Sequence, residues 1–497
     1  MPHPPLFAAV SAIVFVNPLA SGQFVEHGID VISTQLGTQD QEQLGFAPAL
    51  IGDLNGDGVG EVVYASTGWV NDSGTISACV VVDGASGKMI RRHASPDGQT
   101  VFMKSSDAGD MDGDGVIDYA VGGWSTGVAG KVIVYGGADG SVLMTLTGQS
   151  NNDQFGLGLA SLNDVDGDGF DDLVVGAPFY RNGNQRLGRV ALYSGKDGSE
   201  LWARVGASLQ DAMGQSCFAV DDLDGDGVLD VAVASPQMRP AFSSTGPGFV
   251  DLLSGVDGSS IGDALVSPSG TGVFFGGWLP SPVIDLNGDG VHEILIADQF
   301  DGALGTSTGK LFIYDGATRE LVREMTGSSA LQGLGASGNA GDLDLDGVDD
   351  LIVSSWRSPD GAPGLTGKLE IFSGASFESL GTMTSTSGGA NFGGWLLSMG
   401  DVPVFGIGDG FPDFFVNAPS DSTNGVRTGQ FWVISGKSFY PCRADFAKPY
   451  GVLDGADVLL FAASLSAMDV TTDINRDGAV NFFDIYAFLM QYFAGCP

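Results

Sequence analysis

Basic residues are scarce in this chain: 21 Lys and Arg stand against 60 Asp and Glu, a formal net charge of −39 over 497 residues. So acidic a surface repels phosphate backbones and anionic lipid, which makes nucleic acid and charged membranes poor partners. Histidine is nearly absent. His27, His93 and His292 stand alone, and neither H-E-x-x-H nor a Cys/His cluster with metal-site spacing occurs. Long apolar runs are missing as well, so no membrane span is expected. The run LFAAVSAIVFV (Leu6 to Val16) is too short to cross a bilayer and is followed by PLASGQ, with the small residues Ala20 and Gly22 at cleavage spacing. This predicts a signal peptide over residues 1–22 and a secreted or cell-surface mature chain. Its first five residues, MPHPP, hold no Lys or Arg.

Glycine is abundant (78), and with 21 prolines it falls at recurring places beside apolar runs, which marks ordered turns rather than disorder. The recurrence centres on an acidic loop. It reads DLNGDGVGE from Asp53, DMDGDGVID from Asp110, DVDGDGFDD from Asp164, DLDGDGVLD from Asp222, DLNGDGVHE from Asp285 and DLDLDGVDD from Asp342. The loops repeat with a period of about 58 residues, the spacing of one supersecondary module copied along the chain. Each unit opens on a step such as FG (Phe155), MG (Met213), LG (Leu334) or FG (Phe392) and passes through the loop into a β-rich run such as DLVVGAP. A Gly-led strand such as GRVALYSG and an alternating segment such as ELWARVG complete it. Four short strands per unit predict a mostly β chain of meanders closed radially, a propeller of four-stranded blades. A seventh unit, Phe392 to Ser438, lacks its fourth strand. The stretch Asp30 to Gly45 matches the outer-strand-to-FG part of other units, so Ile29 to Thr34 is expected to pair with Gln430 to Ser435 and remove the open edges.

The acidic loop has calcium-site chemistry. Ca²⁺ takes six to eight oxygens, and carboxylates or amides at positions 1, 3, 5 and 9 with a carbonyl at 7 supply them around a turn glycine at 6. The expected ligands are Asp53, Asn55, Asp57 and Glu61; Asp110, Asp112, Asp114 and Asp118; Asp164, Asp166, Asp168 and Asp172; Asp222, Asp224, Asp226 and Asp230; Asp285, Asn287, Asp289 and Glu293; and Asp342, Asp344, Asp346 and Asp350. That is about six Ca²⁺ in this part of the chain. In the seventh unit, counting back from Asp409, Gly410 and Asp413 places Phe405 and Ile407 at ligand positions and displaces Asp401 through an insertion, so no metal is expected there. The FG step, the D-x-[DN]-x-D-G-x-x-[DE] loop and the GAP or ASP tripeptide after it resemble the FG-GAP repeats of integrin α-subunit headpieces and their bacterial relatives, over roughly residues 24–440. The resemblance implies a seven-bladed β-propeller with Ca²⁺ in the loops of one face and ligand contacts on the other.

Beyond residue 440 the pattern changes to two copies of loop then helix, Cys442 to Leu465 and Asp473 to Pro497. In the second, Asp473, Asn475, Asp477, Asn481 and Asp484 occupy EF-hand positions 1, 3, 5, 9 and 12, with Ala479 offering its carbonyl, which predicts about one more Ca²⁺. The first, from Asp445 to Asp457, is one residue too long and has Ala447 and Pro449 where ligands belong. The pair resembles a dockerin, of the Gly-Cys-Pro-ending kind found in secreted proteins of planctomycete-type bacteria. The resemblance implies anchoring to a cohesin-like or other cell-surface partner. Cys442 and Cys496 bracket this segment and are expected to form a disulfide in an oxidising compartment. Cys79 and Cys217 read as buried small hydrophobes. The expected domains are therefore 1–22, a propeller over 23–440 and a small helical EF-hand module over 441–497.

No catalytic constellation is recognisable. GWSTG (Gly123 to Gly127) and GTSTG (Gly305 to Gly309) match G-x-S-x-G but precede a strand with no helix to follow, so the mechanics of a nucleophile elbow fail. The leading expectation is a secreted calcium-binding recognition or adhesion protein for an extracellular protein or polysaccharide. The alternatives are a polysaccharide lyase or hydrolase built on the propeller and a passive surface-layer component. Candidate contact loops are Ser66 to Gly74, Ser235 to Gly248 and Ser354 to Gly367, which carry Trp69, Arg239, Phe242, Trp356 and Arg357.

Overall fold

In the computed structural model the described residues are 24–26, 29–70, 74, 76–239, 243–244, 246–269, 274–277, 284–358, 366–387, 391–402, 408–442, 453, 455–466, 472–474 and 479–494. The expected signal peptide, Phe242, Phe405, Ile407, most of the first C-terminal loop, Asn475, Asp477 and Cys496 lie outside them.

Seven antiparallel sheets follow one another along the chain, the blades of a β-propeller, with two short helices after them. In blade three, Gly158–Leu162 pairs with Asp172–Ala177, which pairs with Arg189–Tyr193 and then Glu200–Val205. The other blades repeat this order, with three strands described in blade five. The sequence pattern explains the layering. The second strands, such as DLVVGA, DVAVAS and DLIVSS, are buried at every position. Each blade is sandwiched between two neighbours, so both faces of its middle strands are dry and period-2 alternation gives way to continuous apolar runs. Outer strands such as Leu321–Thr326 are largely exposed and keep charged residues.

Blade seven is composite. Val31–Leu36 pairs with Gln430–Ile434, which continues to Asp413–Ala418 and Leu396–Gly400. The register runs from Val31 opposite Ile434 to Leu36 opposite Gln430, two residues beyond the segment expected from the sequence, and the Ser435 N–H still donates to the Asp30 carbonyl at 2.9 Å. A second tether lies just upstream: both Glu26 carboxylate oxygens accept from Thr384 in blade six, the backbone N–H at 2.6 Å and the hydroxyl at 2.8 Å. Blades one and seven share a core in which Tyr64 meets Phe431 edge-on at 5.7 Å.

The helices α1 (Gly455–Ser466) and α2 (Phe482–Ala494) stack Phe461 on Phe488 at 4.0 Å, and this pair belongs to one continuous core with blades six and seven, which also holds Phe439 and Tyr440. None of the described helices is long and apolar enough to cross a membrane.

Candidate metal centres

In each blade whose inner strand is described, the acidic loop joins that strand to the second, and in blade five it leads into the second strand Ile294–Asp298, so the loops lie at the same end of the ring. The loop is built by its own carboxylates. In blade one Asp53 accepts the N–H groups of Gly56 and Gly58, each at 2.7 Å, and Asp57 accepts that of Val59 at 2.9 Å. The same bonds recur in blades two, four and six, from Gly115 to Asp110, Gly227 to Asp222 and Gly347 to Asp342. These Asx-type turns hold the side chains at positions 1, 3 and 5 on one side of the loop.

The residue at position 9 is a cross-brace. Asp172 is fully buried; one oxygen accepts the Val165 N–H of its own loop at 2.9 Å and the other the Gly195 N–H beyond the third strand at 3.0 Å. Asp118, Asp230 and Asp350 repeat both bonds. Glu61 accepts from Leu54, and Glu293 from Leu286 at 2.7 Å. The residue at this place after the third strand is a glycine in all seven blades because nothing larger fits. A Cβ on Gly195 would sit 2.0 Å from the Asp171 carbonyl, and Gly84, Gly137, Gly255, Gly316, Gly374 and Gly436 are equally close to the carbonyl of loop position 8. The recurring glycine of YSG, LSG, FSG and ISG was the available signal for this half of the brace.

Positions 1, 9 and one between them converge. Carboxylate oxygens of Asp53, Asp57 and Glu61, of Asp110, Asp112 and Asp118, of Asp164, Asp166 and Asp172, of Asp222, Asp224 and Asp230, and of Asp342, Asp344 and Asp350 lie within 4.8 Å of one another in each set. The loop of blade five is not among these sets. There Asn287 turns its amide toward Asp315 at 3.0 Å, while Asp285, Asp289 and Glu293 keep the shared backbone bonds. The fourth predicted residues, Asn55, Asp114, Asp168, Asp226 and Asp346, lie in the same turns outside the tight sets; Asp168 has Lys196 at 3.9 Å.

Electrostatics test whether a cation fits. Burial, together with neighbouring carboxylates, pushes Glu61 and Asp350 up to about 7 and Asp118, Asp172 and Asp230 to about 6. Three oxygens of like charge, one of them buried, with oxygen as the only donor type, suit a hard divalent cation, and the residues present fit calcium. A bound ion would supply countercharge and cross-link each loop to its blade. The protein residues provide the turn, the buried oxygen and the brace.

Blade seven departs from expectation. Asp401 is not displaced: it accepts the N–H groups of Asp409 and Gly410, each at 2.9 Å, the role of position 1 elsewhere. Asp413 accepts Val402 at 2.7 Å and Gly436 at 3.1 Å, completing the brace, and burial lifts it to about 8. These bonds join only the two ends of the loop, Asp401 and Val402 at one side and Asp409, Gly410 and Asp413 at the other, so they form whatever length separates them.

In the C-terminal segment Asn481 and Asp484 form a reciprocal cap on α2: the Asn481 side chain accepts from Phe483 N–H at 2.8 Å and Asp484 from Asn481 N–H at 2.7 Å. The Ala479 carbonyl accepts from the Asn481 amide. Asp473 is buried, and Cys442 is disulfide-bonded. Cys79 and Cys217 are free and buried, burial raising both thiols. Of the predicted contact residues, Trp69 carries Arg92 over its ring at 5.0 Å and Trp356 carries Arg357 at 5.3 Å.

Comparison with known proteins agrees with the loop geometry. Residues 155–193 match the FG-GAP repeat family. The chain is 34% identical to integrin alpha-PS2 of Drosophila melanogaster over 144 residues, which is 27% of this chain and 10% of that protein. It is 29% identical to integrin alpha-5 of Xenopus laevis over 238 residues, 44% of this chain and 21% of that one. To integrin alpha-V of Gallus gallus it is 31% identical over 136 residues, 26% and 13% of the two chains. The matches thus span between a tenth and about a fifth of these relatives, and the chain is an integrin-α-like β-propeller that contains an FG-GAP repeat.

Proposed function

We propose that this is a secreted, calcium-stabilised recognition or adhesion protein of a bacterial surface, with the propeller as the platform for an extracellular protein or polysaccharide. The observation that carries this reading is a convergent carboxylate trio at the same turn of five blades, always with positions 1 and 9 and one between them. Calcium there would rigidify one end of the ring and leave the opposite end, where the FG steps and the loops around Trp69 and Trp356 lie, as the contact face. About six ions in the propeller, one per regular loop, is the stoichiometry this implies.

The C-terminal segment is read as the anchor, a dockerin-like EF-hand module with one calcium at Asp473, Asn475, Asp477 and Asp484. Leu459, Phe482, Phe483, Tyr486 and Met490 are more than half exposed on its helices, an apolar surface suited to a cohesin-like partner. The deciding experiment probes an array of extracellular proteins and polysaccharides with the full chain, in calcium and in EGTA. Saturable binding in calcium that disappears in EGTA is expected. Depolymerisation of an arrayed polysaccharide, or binding indifferent to EGTA, overturns the reading.

A further inference from the structure

The ring axis holds a small polar pocket at the end opposite the acidic loops. Ala47, Lys104, Leu157, Gln215, Gly277 and Trp395 line it, one residue from each of six blades, at or next to the position that follows the FG step. All but Lys104 and Trp395 are buried. Its volume is about 10 Å³, room for a single water-sized group.

Two features of the lining point to a ligand. Lys104 is a half-buried ammonium with no hydrogen bond and no carboxylate within ion-pairing distance among the described residues; Asp107 on the same strand acts on it only from farther away. The Gln215 side chain is 98% buried, and its Oε1 has no hydrogen-bond partner. An unsatisfied buried polar group is costly, so the orphan amide of Gln215 is retained against its own desolvation, and the half-buried Lys104 lines the same cavity. Ser216, buried beside them, adds a hydroxyl. Because the amide can turn, it can present N–H to an anion while Lys104 supplies the charge.

We propose that this axial pocket binds the side-chain carboxylate of an acidic peptide segment, with Lys104 as the charge partner and Gln215 as the amide donor. The size of the pocket selects the source. A Glu or Asp carboxylate stands on a slender methylene arm that can bring one of its oxygens into a one-water cavity, whereas in a uronate the sugar ring bonded directly to the carboxylate is too bulky to come so close. In a chain of charge −39 an anion is repelled almost everywhere, so a local, poorly solvated ammonium is the feature that permits one to bind. Desolvation also holds Lys104 down to about 8, and an anion relieves that cost.

The inference rests on the propeller being a recognition platform, and the experiment separates the two. The full chain in calcium is titrated with a blocked Gly-Ser-Glu-Ser-Gly peptide, its Gln counterpart and trigalacturonate, followed by calorimetry. The Glu peptide is expected to bind at least 10-fold more tightly than the Gln peptide and the trigalacturonate. Lys104→Met should weaken it at least 10-fold and Gln215→Leu by about 3- to 10-fold, with unchanged melting cooperativity. Equal affinity for the two peptides, preference for trigalacturonate, binding by none of the three, or undiminished binding by Lys104→Met overturns the pocket assignment. If arrayed ligands still bind the Lys104→Met chain, the platform stands without this pocket. Should Lys104→Met misfold, Gln215→Leu with Lys104→Arg carries the same comparison.

Discussion

Replacing Asp172 by Ala separates the two jobs assigned to position 9. The carboxylate is fully buried and accepts from Val165 and Gly195, so its removal leaves two donors unsatisfied. At about 1–3 kcal/mol each, this costs about 2–6 kcal/mol. An opposing effect comes from its pKa, pushed up to about 6 from an ordinary 3.8 mainly by burial. Without a cation, ionising this group near pH 7 costs roughly 3 kcal/mol, which the substitution recovers. In EGTA the variant should therefore fall between a gain of about 1 and a loss of about 3 kcal/mol. In calcium the cation relieves the charge, and the wild type gains about 2.7 kcal/mol per site at 100 times the dissociation constant. The variant forfeits this at one site, so its deficit should grow by about 2.7 kcal/mol. Urea midpoints for both proteins, each in calcium and in EGTA, test the comparison, with amide exchange at Val165 and Gly195 reporting the brace directly. Equal deficits in the two conditions would refute Asp172 as a ligand, and unchanged exchange at both amides would refute the brace.

Chelation should lower the melting temperature of the wild-type chain markedly, and magnesium should restore little of it, being too strict in geometry for these loops; a melt unchanged in excess EGTA argues against metal in the propeller. Deleting residues 24–40 removes Val31–Leu36 and exposes the edge at Gln430–Ile434, so size-exclusion chromatography should show aggregation or a strongly lowered melt; a monomer with normal stability contradicts the closure. Lys104, with a folded-state pKa lowered to about 8 by burial, binds its proton less well folded than unfolded, so stability should rise with pH from about 8 toward 10.5. Lys104→Met should abolish that rise and melt higher at pH 7, as followed by calorimetry; a variant that keeps the rise shows another group is responsible. Asp473→Ala with Asp477→Ala should cancel calcium-dependent helicity attributable to the C-terminal segment and release the protein from its surface while the propeller melts normally; continued retention defeats the anchoring role.

The period of the acidic loops, the turn glycine within each and the alternation of β-rich runs were legible without coordinates, because each is a local pattern repeated about every 58 residues. Seven blades follow from counting the units. Even the borrowed outer strand of blade seven left a trace, since Asp30 to Gly45 repeats a pattern that the last unit lacks. Tertiary structure alone decided what depends on residues far apart. Asp401 keeps position 1 because the N–H groups of Asp409 and Gly410 reach it in space despite the extra residues between them, which counting along the chain cannot register. Asn481 and Asp484 fit a ligand pattern by spacing, yet also cap α2, since side-chain oxygens at a helix start answer its free N–H groups. Lys104 and Gln215 belong to different blades and carry no shared motif; they line one cavity only because closing the ring brings residues at or near the starts of separate inner strands together.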